Sequence, residues 1–446
     1  MFPALKRILK MKTKLFTFLL LLFSSASLFS QQKLSLKEFI EIALERNYSI
    51  RIMSNYEKIA ENNFSRGNAG LLPRIGLNSS YSGTYNNTDQ IFIDEADRKL
   101  RNIYNTTSFT GLQANWMLFE GFRAQNRYKQ LGEIKDFAEL NTRIAVENMV
   151  ANLASEYYFY IQQTRLFSNL QYAVDLSRER VRIEQEHFLL GSGSKVTLLQ
   201  AQVNLNADSS RLERQYEVLR ASRVRLAEVI AEPDLTNHIT PSDTNIVVNS
   251  FLIYDELLKE VEQNNVSILA AKKNLSISEF DIDMVKSKRY PYLNLISGYG
   301  HTYNTFQSGQ IVNQQTWGMN FSVTLGFNIY DGRNTQRQIS NARIETDTKT
   351  LNLDLTKQEV IGDLITIYNA YTNNLRLLEL ETQNLEVARE NLDIAFERYR
   401  LGALSGFELR EVQKNLLEAE ERMLSIQYQA KMAEISLLQI SGKILD

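Results

Sequence analysis

The chain contains no cysteine, so disulfides, thiolate metal sites, cysteine nucleophiles and a lipidated N-terminal cysteine are all excluded. Proline is scarce, with 5 residues in 446, and glycine numbers only 19, which leaves room for very long uninterrupted helices. Tryptophan occurs twice, although Tyr (21) and Phe (22) are plentiful. Beyond the first 30 residues no apolar run approaches the ~20 residues that a membrane-spanning helix needs. A membrane passage by this chain therefore requires strands.

Basic residues barely balance acidic ones, at 50 against 52, so there is no electrostatic footprint for nucleic acid. The N-terminus reads as a secretory signal. Lys6, Arg7, Lys10, Lys12 and Lys14 form a basic segment, Leu15 to Phe23 an apolar core, and small residues from Ser24 to Ser30 lead to a cleavage point before Gln31. Met11 is an alternative start, because Met11-Lys12-Thr13-Lys14 already supplies the basic segment. Loss of residues 1–30 removes five basic and no acidic side chains, leaving a mildly acidic mature chain of net charge −7.

The rest of the chain is a tandem duplication. Glu38-Phe39-Ile40 matches Glu256-Leu257-Leu258, Asn47-Tyr48-Ser49-Ile50 matches Asn265-Val266-Ser267-Ile268, and Pro73 matches Pro291, all 218 positions apart. Further on, Leu118-Phe119-Glu120-Gly121 matches Ile329-Tyr330-Asp331-Gly332, now 211 apart, and the same spacing pairs Gly191 with Gly402 and Gln202 with Gln413. Two gapless stretches separated by one variable loop give a first repeat over 31–231, a linker over 232–253 and a second repeat over 254–446.

After each matched proline the pattern has period two. Ile75, Leu77, Ser79, Tyr81, Gly83 and Tyr85 alternate with small or polar residues, as do Leu293, Leu295, Ser297, Tyr299, His301 and Tyr303. Return strands follow, through Leu112, Ala114, Trp116 and Leu118, and through Trp317, Met319, Phe321, Val323 and Leu325. One face is apolar and aromatic, the other small and polar, which fits either a soluble sheet with one buried face or a lipid-facing sheet. Strands of about 10 residues and aromatics near their ends favour lipid. The predicted lipid-facing residues are Tyr81, Tyr85, Trp116, Tyr299, Tyr303, Trp317 and Phe321, and the polar loops at Asn86–Thr106 and Asn304–Gln315 suit an outer surface. Four strands cannot close a barrel, and an open edge is not tolerated in lipid, so several chains must pool their strands.

From Gly121 to Gly191 and from Gly332 to Gly402 there is no proline and almost no glycine, which predicts two helices of ~70 residues, on the order of 100 Å each. Leu364, Tyr371, Leu378, Leu385, Leu392 and Tyr399 lie on a heptad seam, and Leu153, Tyr157, Tyr160, Val174, Val181 and Phe188 on its counterpart. Each helix ends at a glycine turn, beyond which amphipathic helices return from Val196 and from Phe407.

Catalysis is not expected, and neither is a cofactor or a metal. His187, His238 and His301 have no metal-ligand spacing. Gly191-Ser192-Gly193-Ser194-Lys195 lacks the ending of a phosphate loop and follows a helix instead of a strand. No serine lies in a nucleophile-elbow context.

The duplicated corners Trp116-Met117-Leu118-Phe119-Glu120-Gly121 and Phe327-Asn328-Ile329-Tyr330-Asp331-Gly332, with the tips Phe188-Leu189-Leu190-Gly191 and Tyr399-Arg400-Leu401-Gly402, resemble the outer membrane efflux protein family, the TolC-type channels. The resemblance covers essentially the whole mature chain. It implies a fold that is mainly α with membrane β: a long α-helical coiled-coil tunnel plus four strands per protomer contributing to a trimeric 12-stranded outer-membrane barrel. It implies a homotrimer in the outer membrane, its helical part in the periplasm, working with a periplasmic adaptor protein and an inner-membrane transporter. By the same resemblance Leu190, Gly191, Ser192, Leu401, Gly402 and Ala403 form the adaptor-docking tip. Glu408 and Glu411 fall where some relatives carry acidic residues at the periplasmic constriction; a solvated face at a helix start is the alternative. The chain departs from some members at Leu404, where an Arg can take part in a closed-state lock, and at Thr197, where an Asp can stand; Arg410 is a candidate substitute partner. A polypeptide secretion channel, or a structural coiled coil without a pore, are the other functions this pattern allows.

Overall fold

The computed structural model describes residues 32–237 and 239–445. The expected signal segment, both candidate start residues, the cleavage point and His238 lie outside the described residues. A short strand β1 (Gln32–Leu34) precedes helices α1 (Leu36–Arg46) and α2 (Tyr48–Asn63), strands β2 (Arg74–Gln90) and β3 (Arg98–Glu120), and helices α3 (Arg123–Leu189) and α4 (Lys195–Val229). After strand β4 (Ile239–Pro241) the same order returns: α5 (Tyr254–Asn264), α6 (Val266–Lys286), β5 (Tyr292–Thr305), β6 (Asn313–Gly326), α7 (Asn334–Arg400) and α8 (Gly406–Ile440). The long helices have 67 residues each and the return helices 35 each. Their hydrophobic seams pack each long helix against its own return helix, and α3 also packs against α2, α6 and α8.

Strands β2-β3-β5-β6 form one antiparallel sheet in that order, leaving β2 and β6 as edges. A separate two-stranded parallel ribbon joins β1 to β4, which lies inside the expected linker. The sheet's hairpins reach further than the sequence pattern indicates. β2 continues to Gln90 and β3 begins at Arg98, so the first loop is confined to 91–97 instead of Asn86–Thr106. The second loop likewise shrinks to 306–312 from Asn304–Gln315. Above an apolar band both faces of a hairpin meet water, so alternation stops while the backbone ladder continues.

The recurring Asn-x-Ser-Ile motif has a double task. Asn47 Oδ1 accepts from the amides of Ser49 and Ile50, capping α2, while its Nδ2 donates to the carbonyl of Val229 at 2.9 Å. Asn265 repeats both acts at the start of α6, with Nδ2 2.9 Å from the carbonyl of Ile440. One side chain thus starts a helix and satisfies the last turn of another, tying the sheet-proximal helices to the return helices. Asn265→Ala should cost about 1–3 kcal/mol, since a cap is lost and a carbonyl orphaned. The denaturation midpoint in detergent measures this, and Asn47→Ala, at a more exposed site, should cost less.

Three hydrophobic clusters run along the molecule. Phe39, Leu153, Tyr157 and Leu226 centre the first, near β1 and β4, where the Tyr157 hydroxyl donates to Asp243 at 2.8 Å. Val261, Leu364, Tyr371 and Leu437 centre the second. Leu385, Leu392, Tyr399, Leu409 and Leu416 form the third, close to the tips. The heptad positions Leu153, Tyr157, Val174, Leu364, Tyr371, Leu385, Leu392 and Tyr399 are all buried.

Candidate functional site: a lipid-facing sheet and a helical tip

Ladder partners in a sheet share a face. Leu77 pairs with Leu112, Leu112 with Tyr299, and Tyr299 with Met319. Following that register places Tyr81, Tyr85, Trp116, Tyr299, Tyr303, Trp317 and Phe321 on one side of the sheet. The same side carries Ile75, Leu77, Val323 and Leu325, all exposed in the single chain. The opposite side presents Asn78, Ser82, Gly111, Gly300, Asn320, Ser322 and similar small or polar residues. His301, opposite Trp317 in the ladder, stacks on its indole with ring centroids 4.3 Å apart. The indole Nε1 of Trp116 donates to the carbonyl of Leu71 at 3.2 Å, where the sheet meets the helices.

Two turns pass the chain from strand to long helix, and each uses consecutive left-handed residues, Gly121-Phe122 and Gly332-Arg333. A Cβ on Gly121 would lie 2.3 Å from the carbonyl oxygen of Ser287, so only glycine fits the first corner.

At the far end both long helices finish in the same hydrogen-bonded turn. Gly191 (φ +75°) donates to the carbonyl of Phe188 and Ser192 to that of His187; Gly402 (φ +72°) donates to Tyr399 and Ala403 to Arg398. This is the six-residue glycine C-cap, and it projects the preceding leucines outward. Leu190 and Leu401 are each 81% exposed. Leu189, Val196 and Phe407, which the sequence reading placed in a tip motif and at the starts of the return helices but not at the docking surface, are exposed beside them.

The helices that return from the two tips start differently. Ser405 and Glu408 form a reciprocal capping box: Glu408 Oε2 accepts from the Ser405 amide at 3.0 Å and from its hydroxyl at 2.7 Å, and the Glu408 amide donates back to Ser405 Oγ at 3.2 Å. These bonds from Ser405 hold the Glu408 carboxyl below the usual carboxylate range. The cap is therefore intact at neutral pH and weakens only as acidification protonates Glu408. At the first tip Ser194 accepts from the Thr197 amide at 3.2 Å, and Thr197 returns no carboxylate. Glu411 lies one turn beyond Glu408, on the same face and exposed. Arg410 stands on another face of α8 and does not join them.

Arg410 instead forks onto Asp208 of α4, with Nη1 to Oδ2 at 2.7 Å and Nη2 to Oδ1 at 2.8 Å. Asp208 is buried and also accepts from Ser177 Oγ at 2.6 Å. Beside it buried Arg180 donates to Gln413 Oε1 at 3.1 Å, and the Tyr399 hydroxyl donates to Glu184 Oε1 at 2.6 Å. Burial, reinforced by the Glu184 carboxylate, pushes the Tyr399 phenol well above its ordinary value. Two cations and two anions, from α3, α4 and α8, thus balance one another inside the protein, and Tyr399 joins them from α7. Gly406 closes over them, with Glu184 Oε1 only 3.1 Å from where its Cβ would stand.

Sequence reasoning named Arg410 but missed this cluster. The available signal was the broken repeat: at the 211 spacing Arg180, Glu184 and Asp208 match Asn391, Ala395 and Ala419, while Arg410 matches Leu199. Charged residues on a helix seam in one copy and uncharged ones in the other mark a contact made once per chain.

An apolar sheet with two open edges, continuous with paired helices of about 100 Å, defines a channel-building protein of the outer membrane. The chain belongs to the outer membrane efflux protein family, whose model matches residues 39–232 and 257–443. It is 20% identical to the outer membrane efflux protein BepC of Brucella suis over 349 residues, covering 76% of this chain and 73% of that one. It is also 20% identical to the outer membrane protein TolC of Salmonella enteritidis over 438 residues, covering 93% and 81%. The open-state MtrE channel of Neisseria gonorrhoeae shares its fold, with a TM-score of 0.75 at 17% identity over 95% of this chain and 94% of that one. The protein is an outer-membrane efflux channel.

Proposed function

We propose that three copies of this chain pool their strands into one 12-stranded barrel and their helices into a periplasmic tunnel. The channel is a passive conduit for small toxic molecules, and its energy comes from an inner-membrane transporter coupled through a periplasmic adaptor. The observation that carries the reading is the sheet itself: its apolar side is continuous, yet among the described residues β2 and β6 have no neighbours on their outer edges. In lipid such edges need partners, and the same two edges of other copies can supply them.

The exposed leucines around Gly191 and Gly402 fit the adaptor-docking role of Leu190, Ser192, Leu401 and Ala403, since projecting apolar residues at a rigid turn make an anchor for a groove. Glu408 and Glu411 fit a pair of stacked carboxylate rings around the axis, although the cap already engages Glu408. The Arg410–Asp208 pair holds the two hairpins together and fits the part of a closed-state clasp, while Thr197 bonds locally to Ser194 through its amide and its hydroxyl.

Fractionation tests the assembly: the chain should appear in outer-membrane fractions as a trimer, and a monomer in the soluble fraction would refute the reading. In planar bilayers Glu408→Ala with Glu411→Ala should weaken cation preference severalfold and relieve block by multivalent cations. Unchanged selectivity would leave Glu408 a helix cap and Glu411 a surface charge.

A further inference from the structure

The duplication predicts the register with which one copy meets the next. Shifting β2 by 218 and β3 by 211 carries the first hairpin onto the second. Leu77 opposite Leu112 becomes Leu295 opposite Val323, and Tyr81 opposite Ser108 becomes Tyr299 opposite Met319, both of which are observed pairs. The two spacings read from the sequence are therefore also the spacings of the ladder.

The chain contains one junction between its repeats, β3 against β5, in which Gly111 lies opposite Gly300 and Trp116 opposite Leu295. The same shifts turn β3 into β6 and β5 into β2, which are the two edges left open. β3 stays paired as far as Glu120, whereas β6 ends at Gly326 although its sequence counterpart continues to Asp331. Phe327, Ile329 and Tyr330 are exposed there, with no strand beside them.

The helices give an independent indication. Within the chain α3 packs on α6, where Gln130 Nε2 donates to the Ile277 carbonyl at 3.0 Å and Lys273 binds Glu133 and Asp136 at 2.9 and 2.7 Å. Leu140 and Ile144 of α3 and Ile277 of α6 are half-buried. Their counterparts Leu351 and Leu355 on α7 and Ile59 on α2 are 63, 52 and 53% exposed. The residues left uncovered are those whose equivalents are covered inside the chain.

We propose that the surface joining two copies repeats the β3–β5 and α3–α6 junction, with β6 antiparallel to β2 of the next copy. Ser322 then lies opposite Ser82 of the partner subunit, and Phe327 opposite Leu77 of the partner subunit. β6 gains its missing residues as far as Asp331. The inference rests on the shared-barrel reading and adds its register. It also assigns different chemistry to the two junctions. Lys273, Glu133 and Asp136 inside the chain correspond to Asn55, Ile344 and Asp347 between chains, so the internal ion pairs of Lys273 have no counterpart in the helix contact between copies.

A chain without cysteine suits the test. Ser322→Cys with Ser82→Cys changes one atom at each site, and directly opposed Cβ atoms lie within disulfide reach, whereas a two-residue offset does not. In outer-membrane vesicles with a mild oxidant, this variant should give about tenfold more cross-linked dimer and trimer than Ser322→Cys with Ser80→Cys. Val323→Cys with Tyr81→Cys tests the other face and should also cross-link. Preferential cross-linking of the Ser80 variant, or none by either in-register variant in a chain that still runs as a trimer on unheated gels, would overturn the register and leave the shared barrel standing. Absence of any trimer for the unmodified chain would remove the shared barrel itself.

Discussion

Asp208→Ala should cost about 3 kcal/mol, because it leaves Arg410 without its fork and Ser177 without its acceptor in a buried site. The figure sits at the lower end of the range for broken buried pairs, since the Arg410 side chain is 22% exposed and partly hydrated. The loss should be concentrated at the tips, where all four helices meet the cluster. Thermal unfolding in detergent would show the lower midpoint, and limited proteolysis near Gly191 and Gly402 should become faster. The repeat supplies the rescue: Asp208→Ala with Arg410→Leu installs the residues of the equivalent positions, Ala419 and Leu199. An apolar pair of that kind often equals or exceeds a buried ion pair, so most of the stability should return. If the clasp also keeps the tunnel shut, channels of the double variant should open more readily while the protein remains stable. Stability and closure are thereby separable.

Phe321→Arg should empty the outer membrane of this protein. Phe321 is the middle of β6 on the apolar side, and a cation facing lipid near the bilayer midplane costs about 2–4 kcal/mol per chain. With three chains in the proposed barrel, the penalty enters each channel three times. Its neighbour Asn320 lies on the opposite side, and Asn320→Arg should leave the membrane level of the protein near normal while changing conductance. Quantifying both variants in outer-membrane fractions checks the assignment of faces. Equal losses would show that the sheet has no lipid side.

The two faces were legible because period-two alternation is a property of each strand alone, and Tyr299 or Phe321 declares its side without knowledge of neighbours. The long helices were legible for a similar reason: nothing between Gly121 and Gly191 interrupts them, and a left-handed glycine stops them. Hairpin lengths were not, since residues such as Asp89 and Lys99 pair in a ladder that has water on both sides and so no alternation to display. The Asp208–Arg410 contact was hidden by distance along the chain, because it joins helices from different repeats. Glu408 was seen as a charge at a helix start, but its reciprocal bonds with Ser405 depend on a rotamer that residue spacing only suggests. The parallel pairing of β1 with β4 left no signal in three-residue segments.

The open edges of the sheet have a genetic consequence. A chain that cannot complete its barrel alone commits its fate to the copies it meets, so a defective allele acts on the products of a healthy one. In a cell making equal amounts of normal chain and of a chain that assembles but cannot conduct, random mixing into the proposed trimer leaves about one channel in eight free of the defect. Variants that fail to pair, by contrast, withdraw from the pool and should be recessive. Dominance would therefore sort substitutions in this protein by where they act, in the shared wall or inside the pore it encloses.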